Sequence, residues 1–156
     1  MEKQVIGAAG VYHVAAELSK MGHIALVTIR NTRGVDIVAM NPEKNKAIGI
    51  QVKTRKGDGD GVYFPIGINC KIDDLDDYDK KIKNPFVFVQ ITKEKIRYFV
   101  IPAKNIIRLC KEDFESYMKS AKHRKPVEDI RKANQIFGVE VSEIKDFEDR
   151  WDYLGL

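Results

Sequence analysis

The stretch Gly34-Val35-Asp36-Ile37-Val38-Ala39-Met40 and, after a turn, Ala47-Ile48-Gly49-Ile50-Gln51-Val52-Lys53-Thr54 decide how the chain is read. Val35 to Met40 and Ala47 to Val52 are rich in β-branched and aliphatic residues. The turn-like Asn41 to Asn45 between them is short enough to impose an antiparallel pair. Alternate strand residues point to opposite faces, so Gln51 and Lys53 share one face while Ile50 and Val52 share the other. Asp36 sits near the end of the partner strand, within side-chain reach. A carboxylate, an amide and an ammonium thus meet on one patch.

Working outward, Ile24 to Ile29 reads as a third strand, joined to this pair through the turn Asn31 to Gly34 and completing an antiparallel meander. Before it, Val11, Val14, Ala15 and Leu18 recur at helical spacing between Gly10 and Met21, and Gly22 supplies a stop. After the meander, Thr54 to Gly61 is rich in glycine and charge and reads as a flexible loop. Asp73 to Lys83 runs from acidic to basic, which suits the dipole of a short helix. Phe86 to Ile91 and Ile96 to Ile101 form a hairpin around Thr92 to Lys95, with Pro102 closing the second strand. From Ala103 the pattern is helical, interrupted by Pro126 and Gly138. The chain ends with Phe147, Trp151 and Leu154 at i, i+4 and i+7. The expected fold is α/β: a mixed sheet around the meander, flanked by helices, with the C-terminal helices on the sheet or on a second subunit.

Length and composition narrow the class. A chain of 156 residues predicts one domain, and 44% hydrophobic against 32% charged residues is too apolar for disorder. The apolar runs are far shorter than the roughly 20 residues that span a bilayer, and the first residues lack a signal-peptide core, so no membrane partner and a cytoplasmic location are expected. Cys70 and Cys110 form neither a metal knuckle nor a disulfide framework and read as reduced, structural thiols. A net charge of +4 permits an anionic partner without requiring one. No Ser-His-Asp set, phosphate-binding P-loop or GxGxxG fingerprint supports another enzyme class.

Asp36, Gln51 and Lys53 could hold Mg²⁺ through oxygen donors while the lysine stabilises negative charge and orients a water, the requirements of phosphodiester hydrolysis. In order and spacing, Gly10-Val11-Tyr12-His13-Val14-Ala15-Ala16-Glu17-Leu18, Arg33-Gly34-Val35-Asp36-Ile37-Val38 and Ile50-Gln51-Val52-Lys53-Thr54 resemble the PD-(D/E)XK nuclease superfamily, particularly its small Holliday-junction-resolvase-like members. The resemblance covers about residues 7 to 101 and implies a restriction-endonuclease-like core of helix, three-strand meander, helix and strand. Residues 103 to 156 would add a helical extension to a single nuclease-like domain. It further implies that Asp36 is a metal ligand, Lys53 the catalytic lysine and Glu17 an outer metal or water contact. Gln51 stands where the superfamily usually has Asp or Glu, a place that glutamine also takes in members thought active. An amide oxygen still ligates a hard cation but carries no charge, so Glu17 becomes the expected compensation. The resulting reading is a Mg²⁺-dependent endonuclease, with Mn²⁺ as a substitute. Its metal would be held by Asp36, Gln51, the Val52 carbonyl and Glu17, and its substrate would be DNA, branched DNA included. The alternative is a nucleic-acid-binding or assembly domain of the same fold without catalysis.

Each of these residues also has a plainer reading. Asp36 could close a turn through its own backbone, Lys53 could be an edge-strand charge with Gln51 its surface neighbour, and Glu17 could pair with His13 on an exposed helix face. Gly57-Asp58-Gly59-Asp60-Gly61 hints at a calcium loop, but counting from Asp58 puts Asn69 where an EF-hand needs its terminal acid, so a mobile loop beside the substrate is expected instead. Arg33, Arg55 and Lys56, with Lys122, Arg124 and Lys125 further on, are the candidate phosphate contacts. The acidic set from Asp73 to Asp79 would repel DNA unless it lies elsewhere. Phe147 and Trp151 read as core or as the contact of a homodimer.

Overall fold

The computed structural model describes residues 2–29, 34–120 and 125–156. The first helix, α1, spans Glu2–Lys20, so the helical spacing seen from Gly10 extends back to the start of the chain. Gly22 follows in the left-handed region (φ 83°), which an L side chain adopts only at a cost, and ends the helix. The meander follows as β1 (Ile24–Val27), β2 (Ile37–Asn41) and β3 (Lys46–Lys56), all antiparallel. Since β3 runs to Lys56, Thr54 and Arg55 belong to a strand and the expected loop is shorter than the sequence indicated. The hairpin β5 (Phe86–Ile91) and β6 (Ile96–Ile101) completes a five-stranded sheet in the order β1-β2-β3-β5-β6, and β4 (Tyr63–Cys70), which falls between β3 and β5 in sequence, lies outside it. β5 lies parallel to β3, which makes the sheet mixed as expected.

Three features depart from the sequence reading. β4 is a strand with Phe64, Ile66, Ile68 and Cys70 buried at period two, and it pairs antiparallel with β7 (Gln135–Glu140) in what reads as helical sequence. The C-terminal helices are α3 (Ala103–Lys119) and α4 (Val127–Lys132), and between Asp73 and Lys83 only α2 (Asp76–Asp79) is α-helical. The final apolar triplet shares no helix: Phe147 ends one 3₁₀ turn while Trp151 and Leu154 lie in another. Trp151 packs against Tyr98 with ring centroids 5.4 Å apart, and Leu154 is buried under α1's side of the sheet. The aromatic stripe is therefore spent within the chain.

The sheet has a core on each face. Val14 and Leu18 of α1 meet Ile37, Ala39, Ile50, Val52, Val87 and Val89 on one side. Phe86, Phe88 and Phe99 meet α3 and the β4–β7 pair on the other. Cys70 and Cys110 are free thiols buried in that second core, where burial pushes the Cys110 thiol up to about 12 and raises that of Cys70, which disfavours the thiolate form. No helix among the described residues is long and apolar enough to cross a membrane.

Candidate active site

The site forms where β2 stops and β3 continues. Their register runs from Asn41↔Lys46 to Ile37↔Ile50, after which β3 keeps only β5 as a partner. Because Gln51 N–H bonds Pro85 O on the β5 side, Val52 turns its N–H and carbonyl the other way, toward the vacated β2 position. The side chain of Asp36 fills that position: its Oδ2 accepts the Val52 N–H at 2.7 Å, from a residue sixteen places away. The Asp36 backbone is pinned as well, with its N–H on Ile50 O at 2.8 Å and its carbonyl accepting Thr28 N–H at 3.0 Å. Asp36 thus bonds across the sheet, which the turn-closing reading did not require, and its other oxygen has no hydrogen-bond partner among the described residues.

Gln51 and Lys53 share the face of Phe86 and Phe88, their register partners on β5. Lys53 is no edge charge, because β3 lies inside the sheet. Its stem is half-buried, and its ammonium reaches β4, where a Cβ on Gly67 would lie 3.4 Å from Nζ. Burial pushes its pKa below the ordinary lysine value, and the charge of Asp36 offsets that only partly. Among the described residues, Lys53 has neither a hydrogen bond nor an ion pair. A desolvated cation without a partner is costly to fold around, and such groups collect at functional sites. Asn84 joins the site without any signal in the local sequence. Its Nδ2 donates to Gly34 O at 3.2 Å, steadying the approach to Asp36, and with Val35 its side chain covers Gly49 on the Gln51 face.

Glu17 lies apart. It pairs with Lys20 at 2.8 Å instead of with His13, and its charge sits beside Tyr98 of β6, whose hydroxyl is pushed up to about 12 by burial first and then by Glu17. Three strand intervals separate β6 from β2, about 14 Å. The α1 residues facing Asp36 are Gln4, Gly7, Ala8, Val11 and Tyr12, none of them acidic. Among the described residues, no group of three or more His, Cys, Asp or Glu is arranged to hold a metal. Asp36 is therefore the one carboxylate of the assembled set Asp36, Gln51, Val52 and Lys53.

Of the candidate phosphate contacts, Arg55 shares the Lys53 face, half-buried, while Lys56 and Lys125 are exposed. Arg33, Lys122 and Arg124 lie outside the described residues. The glycine-rich loop is tied down: Gln90 Nε2 donates to Gly57 O at 3.0 Å and Gly59 O at 2.7 Å, and Asp58 Oδ1 accepts Lys93 N–H at 2.9 Å. It begins four residues past Lys53, roughly 13 Å along the strand, so it does not border the site. In the acidic set, Asp73 pairs with Arg131 and Asp76 with Lys111. A second cleft of about 580 Å³ between α3 and β7 is lined by Asp113, Glu140 and Glu143, a lining that repels phosphate.

No protein-family model matches the chain, and no curated protein does. Among solved structures it is similar to Hjc, a Holliday junction resolvase from the archaeal hyperthermophile Archaeoglobus fulgidus, at 14% identity over 96% of this chain and 95% of that one, with a TM-score of 0.48. It is also similar to a bacterial homing endonuclease, at 14% identity over 82% of this chain and 84% of that one, with a TM-score of 0.45.

Proposed function

We propose that the chain is a metal-dependent endonuclease that hydrolyses DNA phosphodiester bonds at the site formed by Asp36, Gln51, Val52 and Lys53. The observation that carries this is Lys53, a half-buried ammonium with no hydrogen bond or ion pair among the described residues, near a carboxylate held from three sides. The sequence order of these residues resembles the PD-(D/E)XK pattern. The donors fit a hard cation, since the free oxygen of Asp36, the Gln51 amide and the outward Val52 carbonyl are all oxygen atoms. With one negative charge among them, Mg²⁺ or Mn²⁺ would keep several waters and bind weakly. When bound, the ion would polarise the phosphate and lower the pKa of a coordinated water. Asp36 is held rigid by Ile50, Thr28 and Val52, so its carboxylate needs little reorganisation. The Lys53 ammonium meets a non-bridging phosphate oxygen, where it offsets developing charge and orients the attacking water. As water adds to phosphorus, the ester P–O bond breaks and the leaving oxygen takes up a proton. Arg55 and Lys56 would hold neighbouring phosphates. The proposal includes a homodimer, supported by β1, an edge strand with exposed Ile24, Leu26 and Val27.

The test is cleavage of linear, flapped and four-way DNA by purified protein with Mg²⁺ or Mn²⁺. Asp36→Asn and Lys53→Ala should each lower the rate at least about a hundredfold, the usual cost of deleting a preorganised charge-stabilising group. Asp36→Asn should bind DNA at least as well as the parent, because a charge next to phosphate is gone. Gln51→Glu should tighten Mg²⁺ binding in calorimetry. Absence of cleavage by the parent with either ion, joined to a Gln51→Glu chain that gains no metal binding, would replace this reading with the non-catalytic DNA-binding domain. The single carboxylate of the site is what favours that second reading.

A further inference from the structure

The Asp36 site does not end at the sheet. It opens into a cleft of about 540 Å³ between α1 and the end of β1, within the roughly 300–1,000 Å³ range of small-ligand sites. Gln4, Gly7, Ala8 and Tyr12 present one helical face to it, and Asp36 and Val52 close its inner end. Three properties define what fits. Asp36 is the one charged residue among the described lining, and its negative charge disfavours a phosphate inside the cleft. The α1 wall is made low by small residues: a Cβ on Gly7 would have nothing within 4 Å, so that space is open. Tyr12 stands at this wall with 65% of its surface exposed, a flat aromatic with no role in the core. The Gln4 side chain adds an amide that both donates and accepts, whereas the hydroxyl of Thr28 is spent on Val35 O at 2.7 Å.

An uncharged, flat group that is partly apolar, carries donors and acceptors at its edge, and is tethered to the phosphate that Lys53 receives is a nucleobase with its sugar. We propose that the cleft seats one unstacked, unpaired nucleotide of a DNA substrate, so that the protein selects DNA with unpaired nucleotides over continuous duplex. The assignment rests on the nuclease reading for the position of the flanking phosphate. A paired base cannot enter without first being extruded, at the cost of pairing and stacking, whereas an overhang, flap or branch point supplies one nearly free. Stacking on an aromatic platform then holds it with little regard to sequence.

The experiment is fluorescence titration in EDTA with three probes: a blunt duplex, the same duplex with a short single-stranded overhang carrying 2-aminopurine, and that overhang with abasic residues in place of its bases. The overhang should bind roughly tenfold or more tighter than the blunt duplex, with quenching of 2-aminopurine, and the abasic probe should lose the advantage. Ala8→Leu fills the cleft and Tyr12→Ala removes the platform, and each should bring the overhang-to-blunt ratio close to one. Both positions face the cleft on a helix, so an unchanged melting temperature establishes that the fold is kept. Equal binding of blunt and overhanging DNA, failure to bind any probe, or a preference that survives both the abasic probe and Ala8→Leu would overturn the proposal. Metal-free binding separates the two readings. A chain that cuts nothing yet keeps a cleft-dependent preference refutes the nuclease, and one that cuts DNA without any such preference refutes the cleft.

Discussion

A lysine that gives up more to desolvation than a nearby carboxylate returns weakens the fold that holds it, and Lys53 does so in a way that can be measured. Its native pKa lies below the ordinary 10.5, so between the lowered value and 10.5 the unfolded chain binds more protons than the native one, and stability rises with pH across that interval. Lys53→Met should therefore raise stability at pH 7 by about 1 kcal/mol while abolishing cleavage, the trade expected where a functional group is held at a cost. In urea unfolding followed from pH 7 upward, its advantage over the parent should shrink as pH approaches 10.5. An advantage that is absent, or independent of pH, would mean that the ammonium is adequately solvated. Strand parity made Gln51 and Lys53 legible as a pair. It could not reveal that Gly67, fourteen positions further along, leaves room for the ammonium, because that contact depends on how β4 crosses β3.

Among the elements, α1 is set against β3 through a glycine. A Cβ on Gly10 would come 2.8 Å from the Thr54 Cβ, and the Thr54 hydroxyl is buried there with no hydrogen-bond partner among the described residues. Gly10→Ala should gain the helix preference of alanine, up to about 1 kcal/mol, yet lose more by forcing the helix off the sheet, since overpacking usually costs about 1–3 kcal/mol. A net loss in thermal unfolding is the expected result, and a gain would show that α1 can move freely. The far end of the sheet is clamped by Arg97. It bonds Glu148 at 2.8 and 2.7 Å, Asp60 at 3.0 Å and the fully buried Gln90 at 3.1 Å, tying β6 to the glycine-rich loop and to the C-terminal turns. Arg97→Gln should cost about 3 kcal/mol at pH 7, as breaking a largely buried pair does. The hydrogen bond from Arg97 holds the Glu148 carboxyl below its ordinary 4.5, so the pair stabilises above that pH and its contribution fades as pH falls through the lowered value. The gap between parent and Arg97→Gln in denaturant should accordingly narrow below pH 4.5. A gap that persists undiminished in acid would assign the loss to packing of the arginine stem.

For the molecule as a unit, one boundary of the sheet is finished and the other is not. Glu148 bridges to Phe99 on β6, whereas among the described residues no strand pairs with the outer edge of β1, where Leu26 is 60% exposed. An open apolar edge invites strand addition, and two copies related by a two-fold axis could pair β1 with β1 antiparallel. The parent is expected to scatter light as a dimer at micromolar concentration, and Leu26→Lys to scatter as a monomer. A monomeric parent would remove the homodimer, and a dimeric Leu26→Lys would move the interface elsewhere. The C-terminal stripe that first indicated a dimer cannot serve, because Trp151 is packed on Tyr98 and Leu154 is buried.

Local sequence was sufficient for α1, the meander and the β5–β6 hairpin, because helical spacing, strand alternation and short turns are properties of neighbours and their geometry follows without reference to distant chain. It was sufficient also for bringing Asp36 beside Val52 and near Lys53, since a short connection sets the register of two strands. The β4–β7 pairing runs from Tyr63↔Glu140 to Cys70↔Gln135 and was illegible, because the reward for strand formation there comes from a partner far along the chain. The same holds for the dispersal of Phe147, Trp151 and Leu154, whose apparent helical spacing yields to separate packing sites. Glu17 shows the limit most plainly. A residue's distance along a helix is readable from its number, but which strand it overlies depends on how the helix crosses the sheet, and that crossing carries Glu17 to β6 and leaves Gln4, Ala8 and Tyr12 facing Asp36.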